Sequence, residues 1–248
     1  MSSLAGRRVV VTRAREQATA LCEVLTRHGA VPVLFPTIAF ERVDVDLEPL
    51  SSYDWVIFTS VNGVRFFFEQ LDATVPAALP ASLRIGAVGP VTRAALDARG
   101  VSVHAMPDEF RAATLVGALG DLTGSRVLVP RADIGRRDLV SALERAGAVV
   151  HDVAVYRTVP AKPDAASLAA LRRGADAVTF TSPSTVRNFL ALLGDEGRGL
   201  LAGAVVAAIG AVTSSAAREE GIRVDVQPDV STTDALVEAL AGRLEVRA

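Results

Sequence analysis

The sequence predicts an α/β protein of two similar lobes, each a parallel sheet flanked by helices. Three observations carry this. The chain contains itself twice: residues 6–40 (GRRVVVTRAREQATALCEVLTRHGAVPVLFPTIAF) reappear as 124–158 (GSRVLVPRADIGRRDLVSALERAGAVVHDVAVYRT), and 53–71 (YDWVIFTSVNGVRFFFEQL) as 175–193 (ADAVTFTSPSTVRNFLALL). A third stretch, AVGPVTRAALDARGVSVH, returns as AAIGAVTSSAAREEGIRVD, with Arg13 falling on Arg131, Thr59 on Thr181 and Gly89 on Gly210. Short apolar runs alternate with segments of helical period, the pattern of a parallel sheet with helices on both faces. Finally, 248 residues, 50% of them hydrophobic and 22% charged, can bury a core in each of two lobes.

Taken in order, Arg8–Thr12 reads as a buried strand and Glu16–His28 as a helix stopped by Gly29. Val31–Phe35 is a strand broken at Pro36. Trp55–Thr59 is a strand and Val61–Gln70 a helix. Leu83–Val88, Val91–Ala98 and Val101–Ala105 read strand, helix, strand; Thr114–Leu119 is a helix, and the series restarts at Arg126–Val129. Gly29, Gly100, Gly147 and Gly221 each follow a helix, where a left-handed C-cap favours glycine. Val31–Glu41 and Val149–Val159 are long extended stretches in equivalent positions. Each reads either as an ordinary strand plus loop or as one of two connectors crossing between lobes.

Composition excludes several classes of function. A net charge of −2 lacks the basic excess of a nucleic-acid-binding protein. The single cysteine, Cys22, lies at an apolar helix position and reads as core; with no disulfide framework, nothing calls for an oxidising compartment. The opening Met-Ser-Ser-Leu leads into a strand without a signal core, and no apolar run approaches the roughly 20 residues of a membrane span. The expectation is a cytoplasmic protein. His28, His104 and His151 have no ligand spacing, so no metal is expected. His28, at a helix end, fits a favourable charge–dipole position. There is no Walker loop, Gly86-Ala-Val-Gly89-Pro90 lacks the third glycine of a dinucleotide fingerprint, and no Gly-x-Ser-x-Gly elbow anchors a hydrolase triad.

What remains is a set of polar strand ends: Thr12-Arg13, Thr59-Ser60, Gly89-Pro90-Val91-Thr92, Pro130-Arg131, Thr181-Ser182 and Gly210-Ala211-Val212-Thr213. Ligands of open parallel sheets bind outside the carboxyl ends of the strands. Hydroxyls and free peptide N–H groups at helix starts suit an anion. Each hydroxyl alone reads more readily as an N-cap than as a ligand contact, and each arginine alone reads equally as a surface residue. Together, six such ends in two lobes could grip one large polyanion. Tyr156 and Tyr53 are the only tyrosines; Tyr53 starts a strand and reads as packing, Tyr156 as a half-buried strand aromatic.

The chain resembles the uroporphyrinogen-III synthase family. The resemblance rests on an ordered set of stretches: Val11-Thr12-Arg13-Ala14, Asp54 through Val64, Ala87-Val88-Gly89, Val155-Tyr156-Arg157-Thr158, Thr179 through Ser184, and Ile209-Gly210-Ala211-Val212-Thr213. It implies two α/β lobes joined by two extended strands, with the first unit exchanged. Residues 1–35 and 160–248 would form one lobe, 42–154 the other, and 36–41 with 155–159 the connectors, in place of a tandem split near residue 120. It implies a cyclising hydro-lyase of haem and cobalamin biosynthesis that closes hydroxymethylbilane, in the cleft between the lobes. The last pyrrole ring inverts through a spiro intermediate, and water is lost.

By the same resemblance Tyr156 is the catalytic residue, its phenol assisting departure of the hydroxyl. Arg13, Thr59, Ser60, Asn62, Gly63, Gly89, Thr92, Arg131, Thr181, Ser182, Ser184, Gly210 and Thr213 would contact the substrate, which carries eight carboxylates. Ala211 stands where a bulkier or polar residue is expected. No cofactor is implied. The implied partners are the tetrapyrrole substrate and, transiently, hydroxymethylbilane synthase, with no nucleic acid, no membrane and a monomeric state. Two other classes compete. A non-enzymatic bilobal protein that closes on a polyanion has no need of a phenol at Tyr156, and a nucleotide-using enzyme lacks its phosphate loop.

Overall fold

The computed structural model describes residues 4–74, 79–107, 112–134 and 137–245. The chain divides into two compact units, Met1–Ala39 with Val159–Ala248, and Phe40–Thr158.

The first unit is built on β1 (Arg8–Val11), β2 (Val31–Leu34), β8 (Ala177–Phe180) and β9 (Val205–Ala208), in the order β2-β1-β8-β9 and parallel throughout. Parallel strands covered on both faces must be apolar on both, and these are. Val9 and Val11 face the core of α1 (Thr19–Arg27) and α9 (Thr233–Glu245). Val10, Val178 and Phe180 face the core of α6 (Ala165–Arg172), α7 (Pro183–Gly203) and α8 (Ala211–Glu219). Asp176 pins the sheet by accepting the Arg8 amide N–H at 2.8 Å and an Arg7 guanidinium N–H at 3.0 Å.

The second unit carries β3 (Ile38–Arg42), β4 (Trp55–Phe58), β5 (Arg84–Ala87), β6 (Arg126–Ala132) and β7 (Val149–Pro160), in the order β3-β7-β6-β4-β5. Val56, Phe58 and Leu128 face the core of α2 (Val61–Thr74) and α3 (Pro90–Asp97). Trp55, Ile57, Val127 and Val129 face that of α4 (Ala112–Leu119) and α5 (Asp138–Arg145). Asp54 accepts the Arg126 amide N–H at 2.8 Å, the part Asp176 plays in the first unit.

Two readings, a helix and a strand, need correction, and the other elements follow the expected pattern. The helix expected over Glu16–His28 is a 3-10 turn, Arg15–Gln17, followed by α1. Val101–Ala105 forms only an isolated bridge between Gly86 and Ala105: the His104 and Ala105 amides share the Ile85 carbonyl, and the Val101 amide donates back to Leu96. The stretch Val31–Glu41 breaks into β2 and β3 at Phe35-Pro36-Thr37, where Pro36 has no N–H to donate. Val149–Val159 is continuous as β7. Gly29, Gly100, Gly147 and Gly221 all have positive φ, from 73 to 88°. The chain passes between the units inside β3 and inside β7. Among the described residues, no helix is long and apolar enough to cross a membrane.

Gly63 is held to glycine by a close approach. A Cβ there would sit 2.9 Å from the backbone carbonyl oxygen of Pro130, which cannot move without shifting β6. Alanine would gain about 1 kcal/mol of helix propensity in α2, against about 1–3 kcal/mol of overpacking. Gly63→Ala should therefore destabilise the protein by about 1 kcal/mol on balance. A urea denaturation midpoint at or above that of the parent would contradict the close contact.

Candidate active site

At the carboxyl end of β1, Thr12 is fully buried and donates its hydroxyl to the Thr179 carbonyl at 2.7 Å. Thr179 donates in turn to the Val10 carbonyl at 2.8 Å. These hydroxyls weld β1 to β8 and are unavailable to a ligand. Arg13, the next residue, is half-buried, and burial pulls its guanidinium pKa below the ordinary arginine value. Among the described residues it makes no hydrogen bond or ion pair. At the end of β8, Ser182 caps α7 in a reciprocal box: its hydroxyl accepts the Thr185 amide N–H at 3.3 Å, and Thr185 Oγ1 accepts the Ser182 amide N–H at 3.2 Å. Thr181 and Ser184 flank it, both half-buried. At the end of β9, Gly210 is the N-cap of α8, with exposed Ala211 at the first helical position. Thr213 and Ser214 follow, 3% and 0% exposed. Ser214 Oγ has no hydrogen-bond partner among the described residues.

In the second unit, Ser60 Oγ accepts the Gly63 amide N–H at 3.0 Å and so caps α2; Thr59 beside it is exposed and Asn62 buried. Gly89 caps α3, whose first turn includes the exposed Val91 and the buried Thr92. Tyr156 lies in β7, 7% exposed. Its ring stacks on Phe66, centroids 5.3 Å apart, and meets Phe40 edge-on at 5.8 Å. Its hydroxyl is 3.3 Å from Ser60 Oγ. A buried phenol is thus held by two aromatic rings and presented to the capped start of a helix, where the peptide dipole favours negative charge on oxygen.

Pro130 and Arg131 do not form a strand end. β6 runs on to Ala132, with Pro130 opposite Val153 and Arg131 opposite Ala154 on β7. Arg131 grips the Asp152 carboxylate along one guanidinium edge, through Nε and Nη2, the latter 2.8 Å from Oδ2, while Nη1 donates to the Ala132 and Asp133 carbonyls at 2.7 and 3.3 Å. The hydrogen bond to Asp152 raises the Arg131 pKa, against an opposing effect of burial. Arg137 approaches the same carboxylate at 3.6 Å. Sequence reasoning passed over Asp152, although an acid beside His151 inside the largely apolar stretch Val149–Val155 was its signal. It also passed over Phe66 as the stacking partner of Tyr156, for which local sequence carries no signal, and over Ser214. No group of three or more His, Cys, Asp or Glu side chains able to hold a metal occurs among the described residues.

Two sheets of parallel-paired strands flanked by helices, with hydroxyl-bearing residues at their strand ends, place the protein in the α/β class. A family model described as "Uroporphyrinogen-III synthase HemD" matches residues 19–238, and the chain belongs to the uroporphyrinogen-III synthase family. It is 31% identical to the uroporphyrinogen-III synthase of Synechococcus elongatus over 96% of this chain and 95% of that one. To the enzyme of the same name from Chlorobaculum parvum it is 30% identical, over 96% and 99%. Among solved structures it is similar to the uroporphyrinogen-III synthetase of Helicobacter pylori, with a TM-score of 0.67 at 17% identity over 96% of this chain and 99% of that one. A mutant uroporphyrinogen III synthase from Thermus thermophilus gives a TM-score of 0.55 at 22% identity, over 97% and 100%. These two likenesses establish the fold.

Proposed function

We propose that this chain is a working uroporphyrinogen-III synthase: it closes hydroxymethylbilane to uroporphyrinogen III with inversion of the last ring and loss of water. The observation that carries the reading is kinship along nearly the whole chain with two proteins of that name. The chemistry of Tyr156 fits it. The carbon–oxygen bond of the hydroxymethyl group breaks, and the phenol gives its proton to the departing hydroxyl, which leaves as water. The phenolate left behind faces Ser60 and the start of α2. A proton is released when the attacked pyrrole becomes aromatic again, so the phenol is restored and no external reagent is consumed.

Internal duplication with exchange of the first unit accounts for the two sheets. Under the repeat, β1, β2, β8 and β9 correspond to β6, β7, β4 and β5, so β2-β1-β8-β9 and β7-β6-β4-β5 are the same order. The matched registers support this: Val11 lies opposite Leu34 in one sheet, Val129 opposite Asp152 in the other. The two copies are not chemically equal, since the repeat position of Tyr156 is Ile38. One copy therefore supplies the phenol.

Substrate carboxylates would be held by peptide N–H groups at the starts of α2, α3, α7 and α8, with Thr59, Thr92, Thr181, Ser184 and Thr213 as hydroxyl donors. Ser60 and Ser182 serve by keeping those helix starts in place. A single hydroxyl lost from this set should weaken binding little, because the peptide donors remain. Thr59→Ala or Thr213→Ala should each cost about 0.5–1.5 kcal/mol in kcat/KM. A loss above about 3 kcal/mol from Thr59→Ala would mean that side chains, not peptide groups, hold the substrate.

A further inference from the structure

The repeat places two arginines at equivalent positions, Arg13 after β1 and Arg131 in β6, and the residue that could pair with each differs. Arg131 reaches across to Asp152 on β7; both side chains are 14% exposed, and the pair is bidentate. The register that sets Val129 opposite Asp152 sets Val11 opposite Leu34, so the position that holds a carboxylate in the second unit holds a leucine in the first. Leu34 packs against the apolar cluster of α1 and α9. The other arginines of this segment are engaged. Arg7 pairs with Asp176, Arg8 donates to the Gly174 and Ala170 carbonyls, and Arg15 pairs with Asp164. Arg13 is the one arginine of the segment 7–15 without a partner among the described residues.

We propose that Arg13 is the carboxylate-binding arginine of this chain, and that Arg131 is a structural strut whose charge is spent on Asp152. The inference rests on the substrate assigned above and deepens it: the two copies share a scaffold but divide the work, one arginine for the ligand and one for the fold. A half-buried guanidinium without a counter-ion has already lost part of its hydration, and burial lowers its pKa. Its fork of donors is therefore ready for a planar carboxylate, which it can bind through two parallel hydrogen bonds. In Arg131 the Nε/Nη2 edge is taken by Asp152 and Nη1 by the Ala132 and Asp133 carbonyls, so no such fork is left to offer.

The test uses full-length Arg13→Gln, Arg13→Lys and Arg131→Gln proteins. Binding of uroporphyrinogen III, an octacarboxylate, is titrated anaerobically at low and high salt, and thermal unfolding is followed alongside. Arg13→Gln should weaken binding by about ten- to hundredfold, the loss of a charged hydrogen-bonding partner, with no fall in the unfolding midpoint. Arg13→Lys should recover part of the affinity, and the salt dependence should shrink in Arg13→Gln. Arg131→Gln leaves the half-buried Asp152 carboxylate with only the 3.6 Å approach of Arg137 and should lower the unfolding midpoint by about 5 °C, while the folded protein binds within about threefold of the parent. Equal loss of affinity in the Gln variants, unchanged affinity in Arg13→Gln, or no binding by the parent protein would each overturn the proposal. Formation of isomer III from hydroxymethylbilane by the parent, with an unchanged KM in Arg13→Gln, would overturn it while leaving the synthase reading intact.

Discussion

Tyr156→Phe is expected to lower kcat for closure of hydroxymethylbilane by about 10²-fold or more, as for loss of a general acid. The phenylalanine keeps the stacking on Phe66 and the edge contact with Phe40, so the aromatic cluster survives. What disappears is the hydroxyl and its 3.3 Å interaction with Ser60, worth about 1 kcal/mol of stability. The two effects separate cleanly. A protein that unfolds at nearly the parent's urea concentration but turns over about a hundredfold more slowly has lost chemistry, not fold. A loss of less than about tenfold would make the phenol a hydrogen-bond donor only, and parental turnover would remove Tyr156 from the mechanism.

The segment 40–158, expressed alone, is expected to fold with a single cooperative urea transition, with a slope in the range of about 1–3 kcal/mol/M for a small domain. It contains β4, β5, β6 and most of β7, with both faces of that sheet covered by its own helices. The segment 1–120 should not fold cooperatively. It holds β1 and β2 without β8 and β9, so Val10 would lose Val178, Phe180 and Phe189 from its core. It also lacks β6, the strand that joins β4 to β7. Circular dichroism of both fragments under urea distinguishes the alternatives. A cooperative transition in 1–120, with none in 40–158, would favour a tandem division of the chain near residue 120.

The elements were legible where the signal is local. Runs such as Val9-Val10-Val11 and Trp55-Val56-Ile57-Phe58 are apolar on both faces because both faces are covered, and glycines at positive φ marked helix ends. The break at Phe35-Pro36-Thr37 was visible as a proline, but not its consequence, that β2 and β3 join different sheets. That depends on which strand each edge meets, a long-range matter that local periodicity does not encode. The same holds at the site. Tyr156 was marked by its rarity and by the resemblance, yet Phe66 and Ser60 reach it from a distant part of the chain. The arginines looked equivalent because the repeat aligns them; only the side-chain contact to Asp152, which lies opposite Val129 on β7, shows that a carboxylate takes up the charge of Arg131. The hydroxyls looked alike as well, and packing divides them. Thr12 and Thr179 bond within the sheet, Ser60 and Ser182 cap helices, and Thr59 remains exposed.

The central claim is that this chain directs ring inversion during closure. Its most direct test is to supply hydroxymethylbilane to the purified protein, oxidise the products and separate the porphyrin isomers by chromatography. Uncatalysed closure gives isomer I, so the background is distinguishable from the reaction. Uroporphyrin III is the expected main product, falling back toward isomer I in Tyr156→Phe as closure without the protein overtakes the slowed enzyme. Isomer I alone, at the rate seen without protein, would contradict that claim.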